Sequence, residues 1–462
     1  MEQKEEKQKR RRLNRSYVEP EPSAYGTVIL ILLSAIPILS TIGYGAVDIW
    51  AVSLLSIITA LVVIFWLADA WKTGALRFNN SMLQIPILGL LCIACIQLLP
   101  FGNAGISPDL LTTSPVHALS LDPYATRFFL IRLVIAFVFF AGALAFIDSR
   151  KRVKRIALMI VIFGAVMAFV GILQRLASPD AIYGLRPTPQ AIPFGPFVNQ
   201  HHFAAFMEMT AGLTLGLLLG GSVKKDKTAL LGIATALMII AVIMTGSRGG
   251  FLGMLGVAGF AFAARFLTRR GRSYEGARTG SALGFVAGGA ALLIIVAGAA
   301  LFLGGGGSLF RGLGFQDQTD ITSGRSHFWS VAVRIFYDNP VLGAGFDAFG
   351  VAFSKYDTWN GFFRVEQAHN DYLQMLADGG ILAFACVAVF IFLFFKQGLT
   401  VIGNMTHAFR KSVAVGSMAG CLGILIHSFF DFPMRTQSNT FFFLLLVVLA
   451  TAAVGEDRKN EA

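Results

Sequence analysis

Apolar runs long enough to cross a bilayer recur along most of this chain, which makes a bundle of membrane helices the fold it must adopt. At about 1.5 Å per residue, some 18 apolar residues span a hydrocarbon core of about 30 Å. Residues 24–45, 47–70, 82–100, 126–147, 155–175, 202–221, 228–246, 249–267, 282–304, 376–395, 412–430 and 438–455 supply about twelve such runs. Lipid offers no partner to backbone N–H and C=O groups, so each run is expected to be a helix. Only 14% of residues are charged, against about 25% in a soluble domain. The expected fold is an all-α polytopic membrane protein.

Basic residues test the topology, because lysine and arginine stay on the cytoplasmic side of short loops. With the N-terminus inside, 27 of the 38 lysines and arginines fall on cytoplasmic segments. That asymmetry implies twelve crossings with both termini in the cytoplasm and accounts for the net charge of +12 without nucleic acid. Lys9, Arg10, Arg11 and Arg12 read as a topology signal beside anionic lipid. The resulting division is a basic cytoplasmic tail at 1–23, transmembrane helices one to nine at 24–304, and a large periplasmic loop with short helices at 305–375. Helices ten to twelve follow at 376–455, and a cytoplasmic tail at 456–462. The first apolar run lacks a small-residue cleavage site and is expected to remain as an anchor. Cys92, Cys95, Cys386 and Cys421 all fall within spans, where they serve as small apolar residues rather than as a disulfide framework.

The long outer loop, Gly305 to Met375, carries most of the chemistry. Within it Phe328, Ala332, Ile335 and Phe336 recur at helical spacing ahead of Pro340, which predicts a short amphipathic helix over 324–339 lying on the membrane. Asn370 can cap a second helix starting at Asp371, placing His369 just before a helix N-terminus. Arg248 sits in the turn Thr245-Gly246-Ser247-Arg248-Gly249-Gly250 between two spans, on the same outer side as Arg325 and His369. A guanidinium in a glycine-bounded turn is sterically open and matches phosphate oxygens in a bidentate way. A neutral imidazole can accept a proton from a hydroxyl near neutral pH, help that is typically worth about 10²- to 10⁴-fold. The pattern points to a reaction on a diphosphate headgroup at the outer membrane surface.

These residues resemble the bacterial O-antigen ligase and polymerase superfamily. The resemblance rests on Thr245 through Gly250, Gly324-Arg325 with Trp329, Asn339-Pro340 through Leu342-Gly343-Ala344-Gly345, His369-Asn370 through Leu373, and Gly379-Gly380-Ile381. It implies an inverting, metal-independent glycosyltransferase of the bacterial inner membrane that uses no cofactor. Its donor would be a glycan on undecaprenyl diphosphate, and its acceptor a lipid A core or a growing glycan. Carried over by motif, His369 corresponds to the catalytic histidine, while Arg248 and Arg325 correspond to arginines that hold the diphosphate. The reading is an O-antigen ligase-like transferase. Alternatives are an O-antigen or exopolysaccharide polymerase and a protein O-oligosaccharyltransferase.

Further residues are candidates for substrate binding. Asn199 and His202 lie at the outer mouth of the sixth span, in a segment that also resembles the family; Arg186, Asn370 and Arg435 are polar groups on the same side. Asn199 and His202 could equally cap that span, and Arg186 and Arg435 could be solvated or bound to headgroups. Glu208 falls about two turns into the sixth span, where an unpaired carboxylate is costly, so it is expected to be paired or to line a polar cavity, with Arg127 and Arg132 as candidate partners. Asp317 and Asp320 have only loose spacing, and no tight acidic cluster announces a metal. Trp329 and Trp359 could stack on sugars, although interfacial anchoring is the commoner use. A lipid-linked glycan transporter would share the hydropathy pattern, but transporters concentrate polar groups near the midplane of repeated halves. Here the polar residues gather at one face.

Overall fold

The computed structural model describes residues 23–101, 118–270, 324–358 and 365–452. Its elements in chain order are α1 (Ala24–Ile42), α2 (Ile49–Thr73), α3 (Gln84–Gln97), α4 (Pro123–Phe146) and α5 (Arg150–Ala177). A two-stranded hairpin, β1 (Ala181–Ile182) and β2 (Arg186–Pro187), precedes α6 (Gln200–Gly220), α7 (Lys225–Thr245) and α8 (Arg248–Arg270). Then follow α9 (Arg325–Asp338), α10 (Phe349–Tyr356), α11 (Asp371–Asn404), α12 (Ala408–His427) and α13 (Gln437–Thr451).

The architecture is that of a helical polytopic membrane protein. Among the described residues, nine helices are long and apolar enough to cross a membrane, and α3 and α13 are shorter apolar helices. The expected span at 282–304 lies outside the described residues, as do Lys9 to Arg12, Asp317, Asp320 and Trp359. Cys92 and Cys95 are exposed on α3 and Cys421 is buried, all unpaired, in keeping with their reading as small apolar residues.

Association between helices in lipid cannot draw on the hydrophobic effect, so close packing of small residues has to supply it. The crossing of α6 with α12 is built this way. A Cβ on Gly216 would lie 2.3 Å from the Cα of Gly416, and one on Gly212 would lie 2.5 Å from the Cα of Gly420. The two backbones therefore touch, and α6 becomes the most enclosed of the spans, buried over 83% of its apolar window. This central pair carries the polar residues His201, His202, Glu208 and His427 into the bundle.

A second close approach fixes the stretch around α11. Gly343 and Gly380 both have positive φ, of 70° and 65°, and a Cβ on Gly343 would lie 2.3 Å from the backbone carbon of Asp378. With side chains absent there, Ala344 N–H donates to Ala377 O at 2.8 Å and Gly345 N–H donates to Asp378 O at 3.0 Å. Buried Gln97 locks the joint. Its Nε2 donates to Leu342 O and Asp378 O, and its Oε1 accepts from Phe346 N–H at 2.9 Å. Gly380 also interrupts the helical backbone of α11, separating a short first segment that begins beside His369 from the long apolar remainder.

The helix expected over 324–339 forms as α9 and ends at Asn339, before Pro340. Its apolar face does not lie free for a membrane, however. Val331, Ala332 and Ile335 are buried against Phe349, Ala352 and Phe353 of α10 and Ala377 of α11. Protein covers the face that the sequence assigned to lipid, because the Gly343 joint folds α10 and α11 onto it.

Candidate active site

Five helix ends meet at one end of the bundle: the starts of α6, α8, α9 and α11, and the end of α12. Each start has a reason in the local sequence. Asn199 caps α6, its Oδ1 accepting from His201 N–H at 2.8 Å. Ser247 caps α8, its Oγ accepting from Gly250 N–H at 3.1 Å. Gly324, in the left-handed region at φ 81°, precedes α9. Asn370 caps α11, accepting from Tyr372 N–H and Leu373 N–H at 3.0 Å, as its position predicts.

Helix N-termini are electropositive and normally attract acidic residues. Here Arg248 and Arg325 are the first residues of α8 and α9. Cations added to N-termini are unfavourable unless an anion is to be held, and such termini are ready-made phosphate sites.

Asp431, 1% exposed in the loop after α12, is the centre of the cluster. One nitrogen of the Arg325 guanidinium lies 3.3 Å from its Oδ2, the Nδ1 of His369 lies 3.3 Å from its Oδ1, and the Nδ1 of His201 lies 3.9 Å from Oδ2. Burial alone would favour the neutral acid. The fields of His201, His369 and Arg325 outweigh it and hold the carboxyl well below the usual carboxylate range. An anionic Asp431 can only accept, so the proton of a neutral His369 belongs on Nδ1 and the lone pair on Nε2.

His369 is held in this pose from several sides. Its backbone sits in the left-handed region at φ 51°, which His tolerates better than most residues but still at a cost of roughly 1–3 kcal/mol. The preceding Ala368 N–H donates to buried Gln374 Oε1 on α11. Its ring stacks along Phe328 at 5.9 Å and meets the edge of Phe432 at 4.8 Å. About 30% of the side chain remains exposed.

Behind this layer is a second set of polar groups. Ser247 Oγ lies 2.8 Å from His201 Nδ1 and 3.4 Å from His427 Nε2, and His427 Nδ1 lies 2.7 Å from Glu208 Oε1. The partner of Glu208 is therefore His427 rather than a candidate arginine, and Arg132 faces Asp347 at 3.7 Å. The crossing of α6 and α12 carries Glu208 to the helix bearing His427, a long-range pairing that no sequence spacing signals. His201, His427 and Asp431 bring one ligand atom each within 4.8 Å of one another, the kind of group that can hold a metal ion. Both imidazoles already face the Ser247 hydroxyl, and Asp431 is engaged by Arg325, so the cluster is organised around a hydroxyl and a guanidinium.

The other sequence candidates distribute unevenly. Arg325 and His369 share Asp431, and half-buried Arg248 directly follows Ser247 at the same helix end. Asn370 and Asn199 adjoin the site as caps. One residue of helical rotation turns His202 away from Asp431, so that its Nδ1 lies 2.6 Å from Thr436 Oγ1 while His201 faces the cluster. Arg186 makes a two-nitrogen contact with Asp48 at 2.5 and 3.0 Å and covers the ring of Tyr44. Arg435 joins the carboxylates of Asp347 and Asp378 and lies over Phe129. Those two arginines tie elements together away from Asp431. Asp431 and His427, central to the cluster, carry no sequence motif of their own, and His201 lies in the family-like segment at the mouth of the sixth span, where Asn199 and His202 are the residues the sequence singles out. The only signal for Asp431 is an acid set among aromatic residues, Phe429-Phe430-Asp431-Phe432, between two apolar runs.

The fold and this cluster define a class: a polytopic helical membrane protein with a basic, histidine-bearing site at one end of its bundle. Residues 233–388 match the family model described as O-Antigen ligase. Over those residues the chain is O-antigen ligase-like, and its helices are those of a multi-pass membrane protein. No curated protein matches the chain.

Proposed function

We propose that the protein transfers a glycan from undecaprenyl diphosphate to an acceptor hydroxyl at the periplasmic face of the bacterial inner membrane, as an O-antigen ligase-like, inverting, metal-independent enzyme. The observation that carries this reading is the convergence of His369 and Arg325 on one buried carboxylate, Asp431, where several helix N-termini meet. In the proposed reaction the acceptor oxygen attacks the anomeric carbon while the bond from that carbon to the diphosphate oxygen breaks. The bonding pair leaves with the diphosphate, and the hydroxyl proton passes to Nε2 of His369. One displacement of this kind inverts the anomeric centre.

Asp431 orients His369 and stabilises the imidazolium as it forms, the role an acid plays behind a histidine base. Arg248 and Arg325, at the electropositive ends of α8 and α9, meet the charge that grows on the leaving diphosphate. Positive groups are most useful there in the transition state, when that charge is largest. Twelve crossings with both termini in the cytoplasm would bring residues 305–375 to the periplasm, beside the donor. The lipid A core is the acceptor this reading favours, with a growing glycan as the polymerase alternative.

The test is the glycan profile of a deletion strain complemented with wild type or His369→Ala. Long chains retained on the carrier and missing from the surface acceptor in the His369→Ala strain identify a ligase. Single repeats alone identify a polymerase. A profile equal to wild type refutes the assignment of His369.

A further inference from the structure

Between α3, α4, α11 and α13 lies a cleft of about 220 Å³ to which the proposed reaction gives no task. Its polar lining gathers at one end, where Arg132, Asp347, Asp371, Ser428, Arg435 and Gln437 meet. That end adjoins the catalytic layer: Asp371 lies two residues after His369, and its N–H donates at 2.9 Å to the carbonyl of Ser428, three residues before Asp431. Deeper in the bundle the lining turns apolar, with Leu133 and Ala136 from α4, Val387 and Phe390 from α11 and Phe443 from α13. Water in such a space lacks the hydrogen-bond partners it needs, and apolar cavities stay dry. Ligand sites are mostly apolar with a few polar groups that fix orientation. Here the polar groups stand at the mouth and the apolar run leads into the membrane, which suits one hydrocarbon chain below a polar headgroup.

Two observations say which lipid fits. The first is that the mouth holds unspent guanidinium donors. Arg132 faces Asp347 only at 3.7 Å, past hydrogen-bond reach, and Asp347 is itself joined to Arg435. The buried Nε of Arg132 has no hydrogen-bond partner among the described residues. A guanidinium offers five donors in a fork that matches phosphate, so a phosphate oxygen is the partner it lacks. The second is that none of the described lining residues comes from α8 or α9, whose first residues are Arg248 and Arg325. The cleft reaches the catalytic layer from helices other than those that meet the leaving diphosphate. A displacement that inverts the anomeric carbon needs its nucleophile on the side away from the leaving group. We propose that the cleft seats an acyl chain of the lipid acceptor, with Arg132 holding a phosphate of its headgroup, and so brings the acceptor hydroxyl to His369. The proposal rests on the reading of the protein as a transferase acting onto a lipid A core.

A chain that moves from the bilayer into the cleft gains little hydrophobic energy, because lipid tails are as apolar as the lining. The seat therefore acts through placement, where an error of about 1 Å can cost about 10²-fold in rate.

The experiment compares purified lipid A core with the same core stripped of its acyl chains, as acceptors for the purified full chain in detergent. Val387→Trp fills the cleft from α11. Its kcat/KM for the intact acceptor should fall by at least about tenfold, while kcat/KM for the deacylated acceptor and the donor KM stay within about threefold of wild type. An equal loss on both acceptors, or no loss on either, overturns the proposal. A raised donor KM also overturns it, because the cleft would then hold the undecaprenyl chain. Crosslinking carries the test without that variant. Lipid A core bearing a diazirine in an acyl chain should label wild type on the cleft faces of α4 and α11, with competition by unlabelled lipid A core and not by undecaprenyl diphosphate or phosphatidylglycerol. Equal competition by either of those lipids, or labelling absent from the cleft, overturns the proposal. Arg132→Gln should weaken the competition by lipid A core about tenfold, the loss of one charge-assisted contact; unchanged competition overturns the assignment of Arg132. Wild type that is labelled as expected yet transfers no glycan would refute the proposed function and leave the lipid seat standing, whereas transfer without labelling of the cleft overturns this proposal alone.

Discussion

Replacing Asp431 with Asn removes the negative charge beside His369 while keeping nearly the same shape. The carboxylate lies 3.3 Å from His369 Nδ1 and 3.3 Å from Arg325. At an effective dielectric constant of about 20, opposite charges at that distance attract by about 5 kcal/mol before the cost of desolvation. The net worth of a hydrogen bond to a charged group is smaller, about 1.5–3 kcal/mol. If the contact strengthens by that much when His369 takes up its second proton, its loss slows turnover by about 10- to 160-fold, at 1.36 kcal/mol per factor of ten. The donor KM moves the other way or not at all, because Arg325 is released from its carboxylate and left for the diphosphate. Steady-state transfer of a labelled glycan in proteoliposomes separates the two parameters. Turnover within about threefold of wild type, in protein of normal amount and melting behaviour, would refute the role given to Asp431; so would a raised KM with unchanged turnover.

Other outcomes follow from the same geometry. Arg248→Lys and Arg325→Lys keep a charge but lose the guanidinium fork, and each should raise donor KM by roughly tenfold or more, read in the same assay. Arg186→Ala should leave transfer within about threefold of wild type, because that side chain is engaged with Asp48. Gly216→Val, by forcing side-chain atoms into the backbone of α12, should destabilise the bundle by about 1–3 kcal/mol or prevent its assembly, seen as a lower melting temperature or lost monodisperse protein. Asp431 has a folded-state pKa below that of an unfolded aspartate, so its stabilisation is complete above about pH 4 and is lost as pH falls through the folded value. The difference in melting temperature between wild type and Asp431→Asn should therefore shrink as the buffer is taken below about pH 4.

Much of the bundle could be read from the sequence because hydrophobic length and lipid physics leave few choices. The helices α9 and α11 were also legible, since Gly324, Asn339-Pro340 and Asn370 mark their ends. Within the site, His369 and Arg325 stood out because polar residues in a long hydrophilic segment between apolar runs are conspicuous. What the sequence concealed was who faces whom. Glu208 and His427 meet only because α6 and α12 cross on bare glycine backbones, a contact 219 positions apart in the chain. The same crossing rotates His201 rather than His202 toward Asp431. The lipid-facing expectation for α9 failed for a related reason: an amphipathic stripe says that a face is covered, not whether protein or membrane covers it.

The central claim is that His369 removes the acceptor proton while the diphosphate leaves. It is tested most directly by reconstituting purified wild type and His369→Ala with glycan-linked undecaprenyl diphosphate and a lipid acceptor, and following glycan transfer together with release of free undecaprenyl diphosphate. The account predicts stoichiometric transfer and release by wild type, with both lower by at least about 10²-fold in His369→Ala while the variant still binds undecaprenyl diphosphate. Transfer by His369→Ala at the wild-type rate would contradict it.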